Sequence, residues 1–178
     1  RVNMGNREQM MQRLANNLDD VYIMGTPPDQ KVLAYAPIST NEIVFVAHPY
    51  HPLAALPSMT LDQLMSADII SRERGSGTRQ AIERRFAENG LQLNPLMEFE
   101  DSEAIKLAAI SGLGIAYLPI QSMRLELAAR ELVVLNVQGF PLKRQWYAMH
   151  HRAKHLSRVA ERFLEFLQEP DAIIHDSL

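Results

Sequence analysis

The stretch IISRERGSGTRQAIERRF, residues 69–86, decides the fold. It opens on two isoleucines, breaks at two glycines flanking Ser76, and resumes as a helix with Ile82 and Phe86 on one face. A strand that passes through a glycine turn straight into a helix is the building unit of α/β domains. The turn is also chemically unusual. Backbone N–H groups of Gly75, Ser76, Gly77 and Thr78 converge near a helix start, where unpaired amides and the positive dipole end hold an anion. The Thr78 hydroxyl adds a donor. Acidic side chains are favoured in a first turn, yet Arg72, Arg74 and Arg79 surround this one, with only Glu73 opposing. A misplaced cation costs about 0.3–1 kcal/mol, and an anionic ligand would reverse that sign. The plain alternative is that the glycines merely make the turn while Arg79 pairs with Glu83 at i+4. Two familiar motifs are excluded. GxxxxGK[ST] is absent, so this is no nucleotide P-loop, and GSG lacks the G-x-S-x-G frame of a nucleophile elbow.

The same alternation extends outward. Upstream, residues 42–49 (EIVFVAHP) and 20–25 (DVYIMG) read as strands, and residues 26–29 (TPPD) as a turn. Residues 6–18 read as a helix capped by Asn6 and Gln9, with Met10, Met11 and Leu14 as core. A short helix follows Thr60, whose capping-box partner is Gln63. Downstream, residues 96–101, 114–119, 131–137 and 144–151 read as strands, with Trp146 and Tyr147 as core. Residues 101–111 (DSEAIKLAAIS) form a helix capped by Asp101 or Ser102 and closed by Gly112, with Gly114 in the tight turn beyond. The closing helix, residues 156–169, is capped by Ser157, ended by Pro170, and buries a stripe of Phe163, Phe166 and Leu167. Largely parallel sheets are expected, with ligands beyond the carboxyl ends of the strands, at residues 24–26, 72–79, 100–103 and 111–114. Lys106 lies one turn into its helix. It is expected either to reach the same anion as a point charge or to pair with Glu103 or Ser102.

Composition narrows the function. The 178 residues carry a net charge of −3, against the basic excess that a nucleic-acid-binding surface requires. With no cysteine, disulfides, thiolate metal sites and cysteine nucleophiles are excluded. His48 and His51 straddle prolines, His150, His151 and His155 sit at a strand–helix junction, and His175 stands alone, so no metal is expected. No apolar run approaches a membrane span, and RVNMGNREQ is no signal peptide. Neither a catalytic constellation nor a cofactor motif is present. A soluble cytoplasmic binding domain, not an enzyme, is the expectation.

Several segments then resemble, in order, the effector-binding domain of LysR-type transcriptional regulators. They are NREQMMQRLANNLDDVYIMG, HPL at residues 51–53, RERGSGTR, SEAIKLAAISGLGIAYLP, GFPLKRQWY and the closing helix. GNRE, DDVYIMG, GSGTR and EAIK are most similar to regulators of carbon-dioxide-fixation (Calvin-cycle) operons. The resemblance implies an α/β, periplasmic-binding-protein type II-like fold of two Rossmann-like lobes joined by crossing strands near 44–48 and 141–147. Lobe I would be residues 1–45 with 146–178, and lobe II residues 46–145. It implies a small anionic, phosphorylated effector in the inter-lobe cleft. The ligand-binding residues would be Met24, Gly25, Gly75, Ser76, Gly77, Thr78, Arg79, Ser102, Lys106 and Gly112. A homodimer or tetramer is implied, with DNA contacted only through an N-terminal winged helix-turn-helix not present in this chain. The chain opens at what resembles the family's second strand, so the first strand–helix unit is expected to be missing. Two alternatives stay open. An exported solute-binding protein of the same fold would carry a signal peptide upstream, whereas an enzyme would turn over candidate phospho-esters.

Overall fold

A computed structural model describes residues 1–28 and 31–169. Pro170, His175 and Asp29 of the expected turn lie outside the described residues. The chain divides into two compact units, Asn41–Lys143 and Arg1–Thr40 with the chain from Arg144 onward. Two strands carry the chain between them: β2, Leu33–Ala47, and β7, Leu142–His151. The unit boundaries thus fall at 40/41 and 143/144, a few residues before the positions expected from the sequence.

In the unit Asn41–Lys143, β3 (Ile69–Arg72), β4 (Met97–Phe99), β5 (Ile115–Pro119) and β6 (Val133–Val134) join β2 in the order β2-β5-β3-β4, with β6 also on β2. The pairs β3–β4 and β3–β5 are parallel, whereas β2–β5 and β2–β6 are antiparallel. The sheet is therefore mixed, which corrects the expectation of largely parallel strands. The reason is topological: β2 enters from the other unit rather than through a helical crossover.

Alternation along the strands fills two cores. Ile43, Phe45 and Ala47 of β2, Ile69 of β3, and Ile115 and Tyr117 of β5 face one side, against Ile82 and Phe86 of α3 (Gly77–Glu88). Val44 and Val46, Ile70, and Ala116 and Leu118 face the other, against Ile105, Ala108 and Ala109 of α4 (Ser102–Ile110). Strands buried on both faces must be apolar at every position, which is why IVFVA and IAYL read as continuous runs. Shorter helices complete the unit: α2 (Leu61–Leu64), entered through the Thr60–Gln63 capping box, and α5 (Arg124–Ala128), which has no forerunner in the sequence pattern.

The other unit is built from α1 (Arg7–Ala15), β1 (Tyr22–Met24), α6 (Arg158–Gln168) and the outer parts of β2 and β7. The Asn6–Gln9 capping box starts α1, and β1 pairs antiparallel with β7. A core of Leu14, Tyr22, Met24, Leu33 and Met149 packs with partly buried Met10, Met11, Trp146 and Tyr147. The buried line of α6 is Ala160 and Leu167, while Phe163 and Phe166 are 42% and 46% exposed. The expected stripe is corrected by one helical line. Positions 160 and 167 stack on the covered face, and 163 and 166 lie on the adjacent line beside exposed Val159. None of the described helices is long and apolar enough to cross a membrane.

Candidate functional site

The carboxyl ends of β3 and β4 and the starts of α3 and α4 bring together one cluster of polar groups. Ser76 is the N-cap of α3, and its Oγ accepts from the amides of Thr78 (3.2 Å) and Arg79 (3.5 Å). Its own amide donates to the Glu73 carbonyl at 3.0 Å, and the Glu73 amide donates to the Phe99 carbonyl at 3.1 Å. The Gly75–Thr78 turn is thereby fixed to the end of β4. Asp101 caps α4 by accepting from the Glu103 amide at 3.1 Å, which leaves the Ser102 side chain to face β3.

Arg72, at the end of β3, ties the residue that follows it to the start of α4. Its Nε and Nη2 donate to the two carboxylate oxygens of Glu73 at 2.9 and 3.2 Å, and its Nη1 donates to Ser102 Oγ at 3.2 Å. Both members of the ion pair are largely buried. Three arginines around one turn are the one sequence signal for this residue, with nothing to select Arg72 among them.

A buried network holds the Arg72 backbone. Its carbonyl accepts from Ser71 Oγ at 2.8 Å and from Arg79 Nη1 at 3.0 Å, and Ser71 Oγ shares a short hydrogen bond with the Tyr117 hydroxyl. Burial pushes the Tyr117 phenol up to about 12, more than the Ser71 bond lowers it.

Arg79 is buried, with Nε on Glu83 at 2.7 Å and Nη1 on Glu98 at 2.7 Å. Desolvation lowers its pKa, but the two carboxylates outweigh that and the net shift is upward. The side chain lines an open groove of about 650 Å³ between α3 and residues 91–95, which the sequence did not indicate. The i+4 pairing with Glu83, weighed as the plain alternative, is present.

Lys106 is likewise buried, and all three ammonium protons have acceptors within the protein. These are Glu103 Oε1 at 2.8 Å, Glu126 Oε1 at 2.7 Å and the Ser122 carbonyl at 3.2 Å. Burial lowers its pKa, but the carboxylates outweigh that and raise it. The side chain ties α4 to α5 instead of reaching the strand ends.

Gly112 follows the far end of α4, at φ +75°, beside the amino end of β5. The nine residues of α4, roughly 13 Å of helix, separate it from Ser102, so the structure does not bring it into the cluster. In the other unit, Met24 ends β1, buried, with its sulfur 4.0 Å from Arg7 Nη1. Gly25 follows it, where a Cβ would collide with the Arg144 guanidinium.

His48 and His51 act as local caps, their Nδ1 atoms accepting from the amides of Tyr50 and Leu53, both at 3.2 Å. Burial holds His51 below its usual pKa. His151 Nε2 lies 2.7 Å from the Leu14 carbonyl.

A mixed sheet with a helix on each face, and a cluster of polar groups beyond the carboxyl ends of its parallel strands, is the arrangement in which α/β domains hold small ligands. Residues 1–171 match the LysR substrate binding domain, and the chain belongs to that family. Its fold is the family's type II periplasmic-binding-protein-like fold. The chain is 42% identical to the HTH-type transcriptional activator CmpR of Synechocystis sp., over 97% of this chain and 57% of that protein. It is 40% identical to the RuBisCO operon transcriptional regulator of Allochromatium vinosum, over 98% of this chain and 58% of that protein. The chain thus spans a little over half the length of these relatives, and the expected kinship with carbon-dioxide-fixation regulators holds. The regulatory domain of Synechocystis PCC6803 CcmR, solved in complex with 2-PG, aligns with a TM-score of 0.84 at 37% identity, over 92% of this chain and 78% of that one. The effector binding domain of QuiR in complex with shikimate aligns with a TM-score of 0.80 at 23% identity, over 92% and 77%, a likeness of fold alone.

Proposed function

We propose that this chain is the effector-sensing domain of a LysR-type regulator of carbon fixation, binding a small phosphorylated acid at the β3–α3 turn and the start of α4. The observation that carries the reading is the cluster at the ends of β3 and β4, where an arginine, two serine hydroxyls and the Gly75–Thr78 turn meet. The CcmR regulatory domain, 37% identical and solved with 2-PG, supports the ligand class. Gly75, Ser76, Gly77, Thr78 and Ser102 are the contacts proposed in this unit, and Met24 and Gly25 remain contacts expected from the family. The Thr78 and Ser102 hydroxyls would be the donors, because the Ser76 and Thr78 amides are already bonded to the Glu73 carbonyl and to Ser76 Oγ respectively. Arg79 and Lys106 raise the local cation count but are held by carboxylates. The domain would be non-enzymatic and cytoplasmic, and would work as a homodimer or tetramer. DNA contact would belong to a winged helix-turn-helix outside this chain, which accords with the HTH-type names of relatives that extend well beyond it. Ligand binding would act by shifting the population of conformations.

A thermal-shift panel of 2-phosphoglycolate, sugar phosphates, nicotinamide nucleotides and sulfate tests this reading. A ligand at 100 times its Kd adds about 2.7 kcal/mol, and each kcal/mol moves the midpoint of a domain this size by roughly 2–4 °C. One phosphorylated compound should therefore raise the midpoint by several degrees while sulfate does not. A flat panel would contradict the reading.

A further inference from the structure

We propose that Arg72 is the anion-recognising residue of this site, and that Glu73 occupies its guanidinium fork as an internal surrogate which the ligand displaces. The proposal rests on the effector-sensing reading above and names the residue that would give that site its specificity.

Four cations stand near the turn, and placement and donor geometry separate them. Arg74 lines the groove of residues 91–95 together with Arg79. Lys106 has three protons and three acceptors inside the protein. Arg79 lines the groove beside α3 and is held by Glu83, Glu98 and the Arg72 carbonyl. Arg72 differs in that its partner sits next to it in sequence. Nε and Nη2 hold both oxygens of one carboxylate, the side-on arrangement in which a guanidinium also takes a carboxylate or phosphate ligand.

The exchange requires no backbone movement. The Glu73 amide is bound to Phe99 and its carbonyl to Ser76, so rotation of the Glu73 side chain alone opens the fork. Arg72 cannot follow it, because Ser71 and Arg79 pin its carbonyl and Ser102 Oγ holds Nη1. Ser102 accepts from Arg72, so its own hydroxyl proton is left to donate to the incoming anion. The fork and that proton together suit a compact group with several anionic oxygens, a phosphate monoester or a carboxylate. Glu73 would keep the largely buried guanidinium neutralised whenever no such ligand is present, and would exclude weaker monovalent anions by competition.

Calorimetric titration of the chain with 2-phosphoglycolate and, separately, inorganic phosphate tests this, using Arg72→Lys, Glu73→Gln and Ser102→Ala. Arg72→Lys keeps the charge but loses the fork, so affinity should fall roughly 10- to 100-fold. Glu73→Gln removes the competitor, so affinity should rise by roughly 3- to 10-fold, a gain that a merely structural Glu73 would not produce. Ser102→Ala should weaken binding less than Arg72→Lys does. Unliganded melting midpoints report whether each variant folds. If Arg72→Lys does not fold, Glu73→Gln alone decides. Parent binding that is unchanged by Arg72→Lys, or that Glu73→Gln fails to strengthen, overturns this proposal while leaving the sensing function standing. A parent that binds neither compound overturns both.

Discussion

At Lys106, three N–H donors meet three acceptors drawn from α4 itself, α5 and the turn before α5. Replacing the lysine with methionine keeps most of the apolar stem but strands Glu126, which is only 17% exposed. Stability should fall by about 2 kcal/mol, read as a drop in the urea midpoint, because charge-assisted hydrogen bonds are lost. An unchanged midpoint combined with lost ligand affinity would return Lys106 to the ligand site. The Lys106 hydrogen bond also holds the Glu126 carboxyl below its usual value. A depressed carboxylate stabilises the fold above its unfolded pKa of about 4.5 and loses that contribution as pH falls through the folded value. Glu126→Gln should therefore flatten the acid limb of the stability curve below about pH 4.5. Tyr117 acts at the other extreme. With its phenol at about 12 when folded and 10.0 as the reference, stability is full below pH 10 and declines as pH rises towards 12. Tyr117→Phe should remove that alkaline decline, measured by urea melts across the range. The Lys106–Glu103 pair was one of two readings open from the sequence, and it forms; the other partnerships could not be read from it. Arg79 and Lys106 were visible as cations near a turn, but Glu98 and Glu126 are nineteen and twenty residues away and are delivered by the fold.

Helix starts were the most legible elements, because capping is local chemistry. The boxes Asn6–Gln9 and Thr60–Gln63, the Asp101 cap and the Ser157 cap all form as read. Strand limits were less legible. The first half of β2, LAYAPISTN, mixes polar residues and a proline, and only its pairing partners make it a strand. In contrast, ELVVLNV reads as a seven-residue strand, but the strand itself is Val133–Val134, with Val137 in an isolated bridge to Met59. For α6 the pattern showed an amphipathic helix without showing which line of its apolar half is covered. That distinction has a measurable consequence. Leu167→Ala should cost about 2–3 kcal/mol, whereas Phe163→Ala, at a half-exposed position, should cost under about 1 kcal/mol. Equal costs in chemical denaturation would mean that the Phe163 line is buried after all. Ser76→Ala, which strips two amides of α3 of their acceptor, should cost about 0.5–2 kcal/mol.

At the scale of the molecule, a net charge of −3, with Arg72 and Arg79 each held by carboxylates, works against binding to a phosphate backbone. The chain by itself should leave a candidate operator fragment unshifted in a gel at moderate salt, and a sequence-specific complex would contradict that. The family was legible because its signals are ordered along the chain, and the proposed location of the anion site rests on one strand–glycine–helix stretch. The arginine aimed at Ser102 was not legible, since three candidates lie within eight residues and only the packed sheet orients them. The account stands on that location. A titration of the ¹⁵N-labelled chain with 2-phosphoglycolate, followed in ¹H–¹⁵N correlation spectra, tests it most directly. The account predicts saturable shifts concentrated at the amides of Gly75, Ser76, Gly77, Thr78 and Ser102 and at the Arg72 Nε–H. Saturable shifts that bypass these groups, or none at millimolar ligand, would contradict it.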